Sequence, residues 1–434
     1  MRPRAGSRTV LSKIVMEAES PARMSLLSLF VGIAAVVALL TYWVGWALPV
    51  VLFAVIFIVM GHEFGHYITA KRAGMKVTDF FVGFGPVLWS RTIGETRYGV
   101  RAILAGGYVK VPGMTWTDTI APTEESRTYR SATYPRKVLF ASAGSLMHVV
   151  MALMLAWASL VFVGLPSTSH VGVLSFTKWG GYSQNAAQVA GLHLGDRIVS
   201  INAHVVTDAN WLVTTIRDSA GTPLTLLVER NGHDFTVHAT PVDGRTIKVN
   251  GTPLATGATP QGYLGIGLVN QTIHESWFAA VPHSFTQVGS MIATAAHAMV
   301  HVFSPGQFLS LFHQVVSPAA ATNRSNQLNR PESIVGVVRI AVQSTQAGPG
   351  TLLAILMAVN IFVGILNMLP MLPLDGGYVA IATYERLRSR RVTKYHADVN
   401  KLAPVVYAFM SVLIVLFACT LYLDIAHPIA NPFH

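Results

Sequence analysis

Val50–Met60 reads VVLFAVIFIVM, without a charge, and runs straight into Gly61-His62-Glu63-Phe64-Gly65-His66. Four apolar or small residues after that stretch, Lys71 and Arg72 end the run. On a helix, H-E-x-x-H sets two imidazoles four residues apart on one face, where both can hold one zinc ion. The carboxylate between them can take a proton from water beside such an ion. Soluble zinc enzymes carry the same letters, and so can a pair of satisfied core histidines. What separates this case is the apolar run, because ionisable groups at membrane depth are costly and mark function.

Composition agrees with that depth. The chain has 434 residues, is 52% hydrophobic and only 12% charged, and has a mean hydropathy of +0.47. Soluble domains carry about 25% charged residues, so this is the composition of a membrane protein. The net charge of +11 calls for basic cytoplasmic loops rather than nucleic acid. Cys419 is the one cysteine, which excludes an intramolecular disulfide.

Five segments reach the ~20 apolar residues that a ~30 Å hydrocarbon layer requires: 25–45, 49–70, 138–163, 351–383 and 403–423. The first two form a tight hairpin across Trp46-Ala47-Leu48-Pro49, and the first is not expected to be a cleaved signal, since Glu17 and Glu19 precede it. Basic residues concentrate in 1–24 (Arg2, Arg4, Arg8, Lys13, Arg23), in 71–137 and in 384–402, whereas the 165–275 stretch is close to neutral. The positive-inside rule then puts those three segments in the cytoplasm and the connection 164–350 outside. The expected organisation is a basic cytoplasmic N-terminus (1–24), an extra N-terminal span (25–48) and a zinc-motif span (49–77). A cytoplasmic β region (78–137), a span (138–163) and an outer domain (168–242) follow. Extracytoplasmic surface helices and strands (243–350), a span with L-D-G-G (351–383), a basic loop (384–402) and a last span (403–423) complete it. Residues 276–316 lack Lys and Arg but are interrupted by Pro282, Pro305 and Gly306. They read as helices on the outer membrane surface. His297 and His301 within them read as polar positions of an amphipathic helix, because spacing alone is weak evidence for a metal pair.

A catalytic zinc takes three protein ligands and keeps an open position. The third candidate is Asp375 in Asn367-Met368-Leu369-Pro370-Met371-Leu372-Pro373-Leu374-Asp375-Gly376-Gly377. Pro370 and Pro373 break the helix and the glycines let the chain turn. Unwound backbone at membrane depth is tolerated only inside protein or beside a watery cavity. His66 lies just before Lys71, and Asp375 shortly before Glu385, so both ligands approach the cytoplasmic side. Asn367 can hydrogen-bond a substrate or a developing oxyanion; a helix-to-helix hydrogen bond is the equal alternative.

H-E-x-x-H in an early span and N-x-x-P-x-x-P-L-D-G-G in a late one resemble the site-2 proteases, intramembrane zinc metalloproteases. The resemblance runs from about 49 to 423 and includes Val82-Gly83-Phe84-Gly85-Pro86 and Leu104-Ala105-Gly106-Gly107-Tyr108-Val109. It implies one Zn2+ per chain held by His62, His66 and Asp375, Glu63 as base and Asn367 as an assisting residue. It adds Gly106, Gly107, His148 and Pro370 as substrate-positioning candidates. The family often shows Gly-Pro-x-x-Asn where this chain has Gly144-Ser145-Leu146-Met147-His148. His148 there can replace the asparagine, bind metal, or join two spans by a hydrogen bond. The first span is an addition to the family's commoner plan. The implied substrates are single-pass membrane proteins such as anti-sigma factors, or signal-peptide remnants, in regulated intramembrane proteolysis.

Thr96–Ala102 alternates polar and apolar after a Gly94-Glu95 turn, which predicts hairpins over 78–111. A membrane-associated edge strand there could hold a substrate extended by strand addition. Ala186–Asn202 (AAQVAGLHLGDRIVSIN) makes 168–242 look like an extracytoplasmic PDZ domain, with strands at 198–201 and 224–230, a helix at 209–219 and a turn at Asn231-Gly232. A PDZ domain binds a peptide or protein end. The fold class expected is therefore a polytopic α-helical membrane protein of about five spans, with a cytoplasmic β-hairpin region and an outer PDZ domain. A metal transporter is the rival reading, but it calls for polar residues in several spans, and the first and fifth have almost none. An inactive scaffold would have no need of Glu63.

Overall fold

The computed structural model describes residues 25–114, 118–180, 183–249, 252–257, 259–389, 395, 397 and 399–433. The basic N-terminus 1–24 and part of the 384–402 loop lie outside the described residues. The chain forms two compact units, one of Met1–Trp157 with Val281–His434, the other of Ala158–Ala280.

In the first unit, Leu26–Val44 and Ala47–Arg72 follow one another almost without a loop. Ser25 caps the first, accepting from Ser28 N–H at 3.1 Å. Only Leu29 of that helix is buried, which suits a helix surrounded by lipid tails. Tyr134–Ala158 continues through a π-helical turn to Val163, Pro349–Asn367 follows later, and Ala403–Ala426 comes last. These five are the described helices long and apolar enough to cross a membrane. The fourth span differs from a single segment over 351–383. It stops at Asn367, turns through 368–374, and restarts as the helix Asp375–Arg388. Pro370 lies in that turn, where it supplies no backbone donor.

Strand β1 (Asp79–Ile93) and strand β2 (Thr96–Lys110) turn at Gly94-Glu95. Their register doubles back. Asp79–Val82 lies beside Arg97–Val100 on one side and beside Lys110–Gly107 on the other. Ala70, Met75, Val77, Val111, Tyr129 and Phe140 form a buried cluster that ties these strands to the second and third spans. Glu95 at the turn contacts Lys71 at 2.7 Å and Arg127 at 2.8 Å. Arg127 first, then Lys71, holds the Glu95 carboxyl down at about 2.

The segment expected to lie on the membrane surface has more tertiary contact than that. Helix Ala280–Val302 packs Val288 into a cluster with Ala152, Ala156, Met357 and Ile361 of the third and fourth spans. The apolar positions 288, 291, 292 and 295 fall on one face at helical spacing, so the helix lies alongside the spans. His297 and His301 are exposed on it and belong to no metal-ligand group among the described residues. Near the end of the last span, Asp424 is fully buried. It accepts from Arg330 Nη2 at 3.0 Å and from Ser333 N–H at 2.7 Å.

In the second unit, β3 (Leu165–Phe176), β4 (Arg197–Ile201), β5 (His204–Val205), β6 (Leu224–Arg230) and β7 (His233–Ala239) are followed by four two-residue strands. These are β8 to β11, at Val242–Asp243, Lys248–Val249, Thr252–Pro253 and Gly262–Tyr263. Then comes β12 (Ile266–Ile273). The main sheet runs β12-β3-β4-β6-β7, with β5 on β4. Helix Ala209–Asp218, capped by Asp208, packs Leu212 and Ile216 onto Val171, Ile198, Leu224 and Leu226. Each such fully buried side chain contributes roughly 1.5–3 kcal/mol. Because β12 pairs with β3 along most of its length, this unit extends well beyond the 168–242 boundary read from the sequence. Asp196 is buried and bonded by Arg230 at 2.7 and 2.8 Å. Burial pushes its carboxyl up, but the hydrogen bonds from Arg230 and from the His193 N–H together outweigh it, so the net shift is downward.

Candidate metal centre

The geometry begins on the second span. His62 and His66 stand one turn apart, with ring centroids 4.8 Å from each other. His66 Nε2 lies 3.2 Å from His62 Nε2 and 3.2 Å from Asp375 Oδ2. His62 Nε2 lies 3.3 Å from the same oxygen. Asp375 reaches this point because the chain restarts as a helix there. A Cβ on Gly376 would overlap the carbonyls of Met368 and Leu369, so the turn closes only around glycine.

The donor set can be tested for fit. His66 Nδ1 lies 2.8 Å from the Phe140 carbonyl, which has no proton to give, so Nδ1 donates and Nε2 presents a lone pair. Two ring nitrogens and a carboxylate oxygen thus converge, all within 4.8 Å of one another. Acceptors gathered at this separation repel unless a cation lies among them. Two imidazoles and one carboxylate, with a carbonyl orienting one ring, are the donors zinc takes in a hydrolytic site. The residues therefore fit zinc. They also sit among buried side chains: His66 is 6% exposed and the His62 side chain 12%.

Glu63 is not one of the three ligands. Its Cγ lies close to Gly107 of β2: a Cβ on Gly107 would be 3.2 Å from it and 2.9 Å from Met60 Sδ. Gly106, at φ +147°, would set a Cβ against the Phe84 ring. Gly107 thus lets β2 lie against the helix that carries Glu63, whereas Gly106 lets it pass close to Phe84 of β1. Asn367 is half-buried at the end of the fourth span. Among the described residues its side chain makes no hydrogen bond. Pro370 is exposed in the turn.

His148 is buried on the third span, its ring centroid 5.1 Å from that of His62. Its partner is Asn360, which the sequence reading passed over. Asn360 Oδ1 lies 2.7 Å from His148 Nδ1, and Asn360 Nδ2 donates to the His148 carbonyl at 2.7 Å. The signal was there: Asn360 is a lone amide inside TLLAILMAVNIFVGIL, and such polar groups join spans. The Phe140 carbonyl left no signal, since a backbone acceptor is the same for every residue type.

The model of the family described as Peptidase family M50 matches residues 50–413. Zinc metalloprotease Rip1 of Mycobacterium tuberculosis (strain H37Rv) is 30% identical over 409 residues, spanning 88% of this chain and 98% of that one. Zinc metalloprotease Rip1 of Mycolicibacterium smegmatis is 29% identical over 415 residues, 89% of this chain and 99% of that one. A putative zinc metalloprotease of Nostoc sp. is 28% identical over 337 residues, 77% and 84% of the two chains.

Proposed function

We propose, for a chain that belongs to peptidase family M50, the site-2 proteases, and is a multi-pass membrane zinc metalloprotease, that it cleaves single-pass transmembrane substrates within the bilayer. The observation that carries this is the convergence of His62 and His66 of the second span with Asp375, the first residue of the helix that restarts after the fourth. Zinc, when bound, polarises the scissile carbonyl and acidifies water. His62, His66 and Asp375 hold it, and the Phe140 carbonyl keeps the His66 ring turned toward it. Glu63 takes a proton from water and passes it to the leaving amine. Asn367 assists at the oxyanion.

A transmembrane substrate arrives as a helix, whose closed backbone resists attack. The strand Gly107–Lys110 pairs on one side with Asp79–Val82 and touches Glu63 through Gly107. Its position supports strand addition that holds the substrate extended beside the base, with Gly106, Gly107 and Pro370 lining the approach. The charge distribution supports placing the N-terminus, the β1–β2 region and the 384–402 loop in the cytoplasm, and the centre toward that side. The Ala158–Ala280 unit is read as an extracytoplasmic PDZ domain. It carries a groove of about 310 Å³ between the helix Ala209–Asp218 and β12, lined by Thr177, Trp179, Val213, Ile216, Tyr263 and Ile266. This is a place for a peptide to add beside a sheet edge. Anti-sigma factors and signal-peptide remnants are the substrate classes, in regulated intramembrane proteolysis, with the lipid bilayer as the medium and no nucleic acid.

The test is cleavage of co-expressed single-pass membrane proteins by the wild type and by Glu63→Gln, with fragments mapped by mass spectrometry. The wild type should release fragments ending within the span and the variant none. Equal release by both would refute the role of Glu63.

A further inference from the structure

One buried ion pair has no part in the chemistry above. Lys137 and Glu385 are both 7% exposed, and Lys137 Nζ lies 3.2 Å from Glu385 Oε2. The other oxygen, Oε1, accepts from the Ala397 N–H at 3.0 Å. Tyr129 flanks the cation, its ring centroid 5.5 Å from Nζ. Lys137 stands near the start of the third span's helix and Glu385 near the end of its own. Helix dipoles favour the opposite charges at those places, so helix electrostatics do not explain the pair. Nor does stability, because a buried ion pair is often no better than an apolar pair of the same volume. What such a pair can fix is the register of two elements.

Both elements lead to the metal centre. Glu385 lies on the helix Asp375–Arg388, whose first residue is a candidate ligand. Lys137 lies one turn before Phe140 on the third span, and the Phe140 carbonyl orients His66. Midway, Tyr378 packs against Tyr129 with ring centroids 6.2 Å apart, on the buried cluster that includes Phe140. The start of the third span thus holds the helix of one ligand and the ring of another. Asp375 and Glu385 are separated by about 15 Å of helix at 1.5 Å per residue. A tilt of about 1° over that length moves Asp375 by about 0.25 Å, more than the ~0.2 Å within which metal–ligand distances hold.

We propose that Lys137 and Glu385 are positioning residues for the centre. Their pairing sets the register of the helix Asp375–Arg388 against the third span, and with it the place of Asp375 beside His62 and His66. This rests on the reading of those three side chains as the zinc ligands.

The probe is zinc itself, titrated against a chelating dye on the full chain in detergent micelles. Lys137→Met with Glu385→Leu removes both charges together, so the thermal midpoint of the zinc-free protein should stay at or above that of the wild type. The zinc dissociation constant should nonetheless rise ~10-fold, the lower end of what residues supporting a metal site contribute. Glu385→Gln alone takes the carboxylate from Lys137 and should raise the constant as well, with a lowered midpoint. Arg330→Met with Asp424→Leu is the control, a buried pair between residues outside both ligand-bearing helices; it should leave the constant unchanged. Wild-type zinc affinity in the Lys137→Met, Glu385→Leu chain overturns the proposal. So does an equal rise in the control, which would make the effect a general loosening. Should the double variant fail to fold, wild-type affinity in Glu385→Gln decides against it. Failure of the underlying reading is distinct: Asp375→Ala would then bind zinc as tightly as the wild type.

Discussion

Replacing Gly144 by Ala should abolish most activity while leaving the fold at least as stable. A Cβ at this position would lie 2.5 Å from Nδ1 and 2.6 Å from Nε2 of His62. Carbon normally keeps ~3.5–4.0 Å from such atoms, so the ring must withdraw by about 1 Å. A misplacement of that size costs ~10²-fold in rate, about 2.8 kcal/mol at 1.4 kcal/mol per decade. The opposing effect is smaller and has the other sign: Ala is favoured over Gly in a helix interior by ~1 kcal/mol. Activity and stability should therefore move apart. The assay is kcat/KM on a single-span peptide, with zinc content and thermal midpoint measured on the same preparation. Gly144→Ala with wild-type kcat/KM and full zinc would refute the placement of His62 against the third span. Loss of activity with a lowered midpoint would assign the effect to folding instead.

Three further outcomes follow from packing and charge. Burial, then the neighbouring Asp424, raises the Glu332 carboxyl from 4.5 to about 7. With the folded value above the unfolded one, its stabilising contribution is full below about pH 4.5 and is lost as pH rises through about 7. The thermal midpoint in detergent should fall between those values, and an unchanged slope in Glu332→Gln would exclude Glu332 as the cause. Asp424→Leu removes the nearer carboxylate from the buried Arg330 guanidinium, leaving Glu332 at 3.7 Å, and should cost up to ~3–5 kcal/mol, whereas Arg330→Met with Asp424→Leu should regain most of it; urea titration of the two variants decides, and equal loss in both would contradict the pairing. Leu212→Ala, at a fully buried position, should cost ~2–5 kcal/mol. Proteolytic nicking should rise within Ala158–Ala280 with zinc content unchanged, and unaltered nicking would mean that the helix Ala209–Asp218 is not held by this core.

What the sequence made legible was whatever depends on residue type at fixed spacing. H-E-x-x-H gave the ligand face of the second span, and the prolines and glycines of 368–377 gave the break that brings Asp375 to it. Apolar length gave five spans. Alternation with a Gly94-Glu95 turn gave the β1–β2 hairpin, and Asn231-Gly232 the β6–β7 turn. Partnerships across long separations were not legible. Nothing local says that Asp79–Val82 takes neighbours on both sides. Residues 276–316 looked interfacial because Pro282, Pro305 and Gly306 interrupt them, yet the Val288 face of helix Ala280–Val302 packs on two spans. Asn360 was visible as a letter, but its pairing with His148 is a tertiary fact. Arg330 and Asp424 stand 94 residues apart in the chain, and only the fold buries them together.

The central claim is that His62, His66 and Asp375 bind one zinc ion together. X-ray absorption at the zinc edge, on the purified full chain and on Asp375→Ala, tests it most directly. The expected result is one zinc per chain with nitrogen and oxygen neighbours at ~2.0–2.2 Å, two of them imidazoles, and a changed spectrum or lost metal in the variant. A spectrum with a sulfur neighbour at ~2.3 Å, or one that Asp375→Ala leaves unaltered with full zinc, would contradict it.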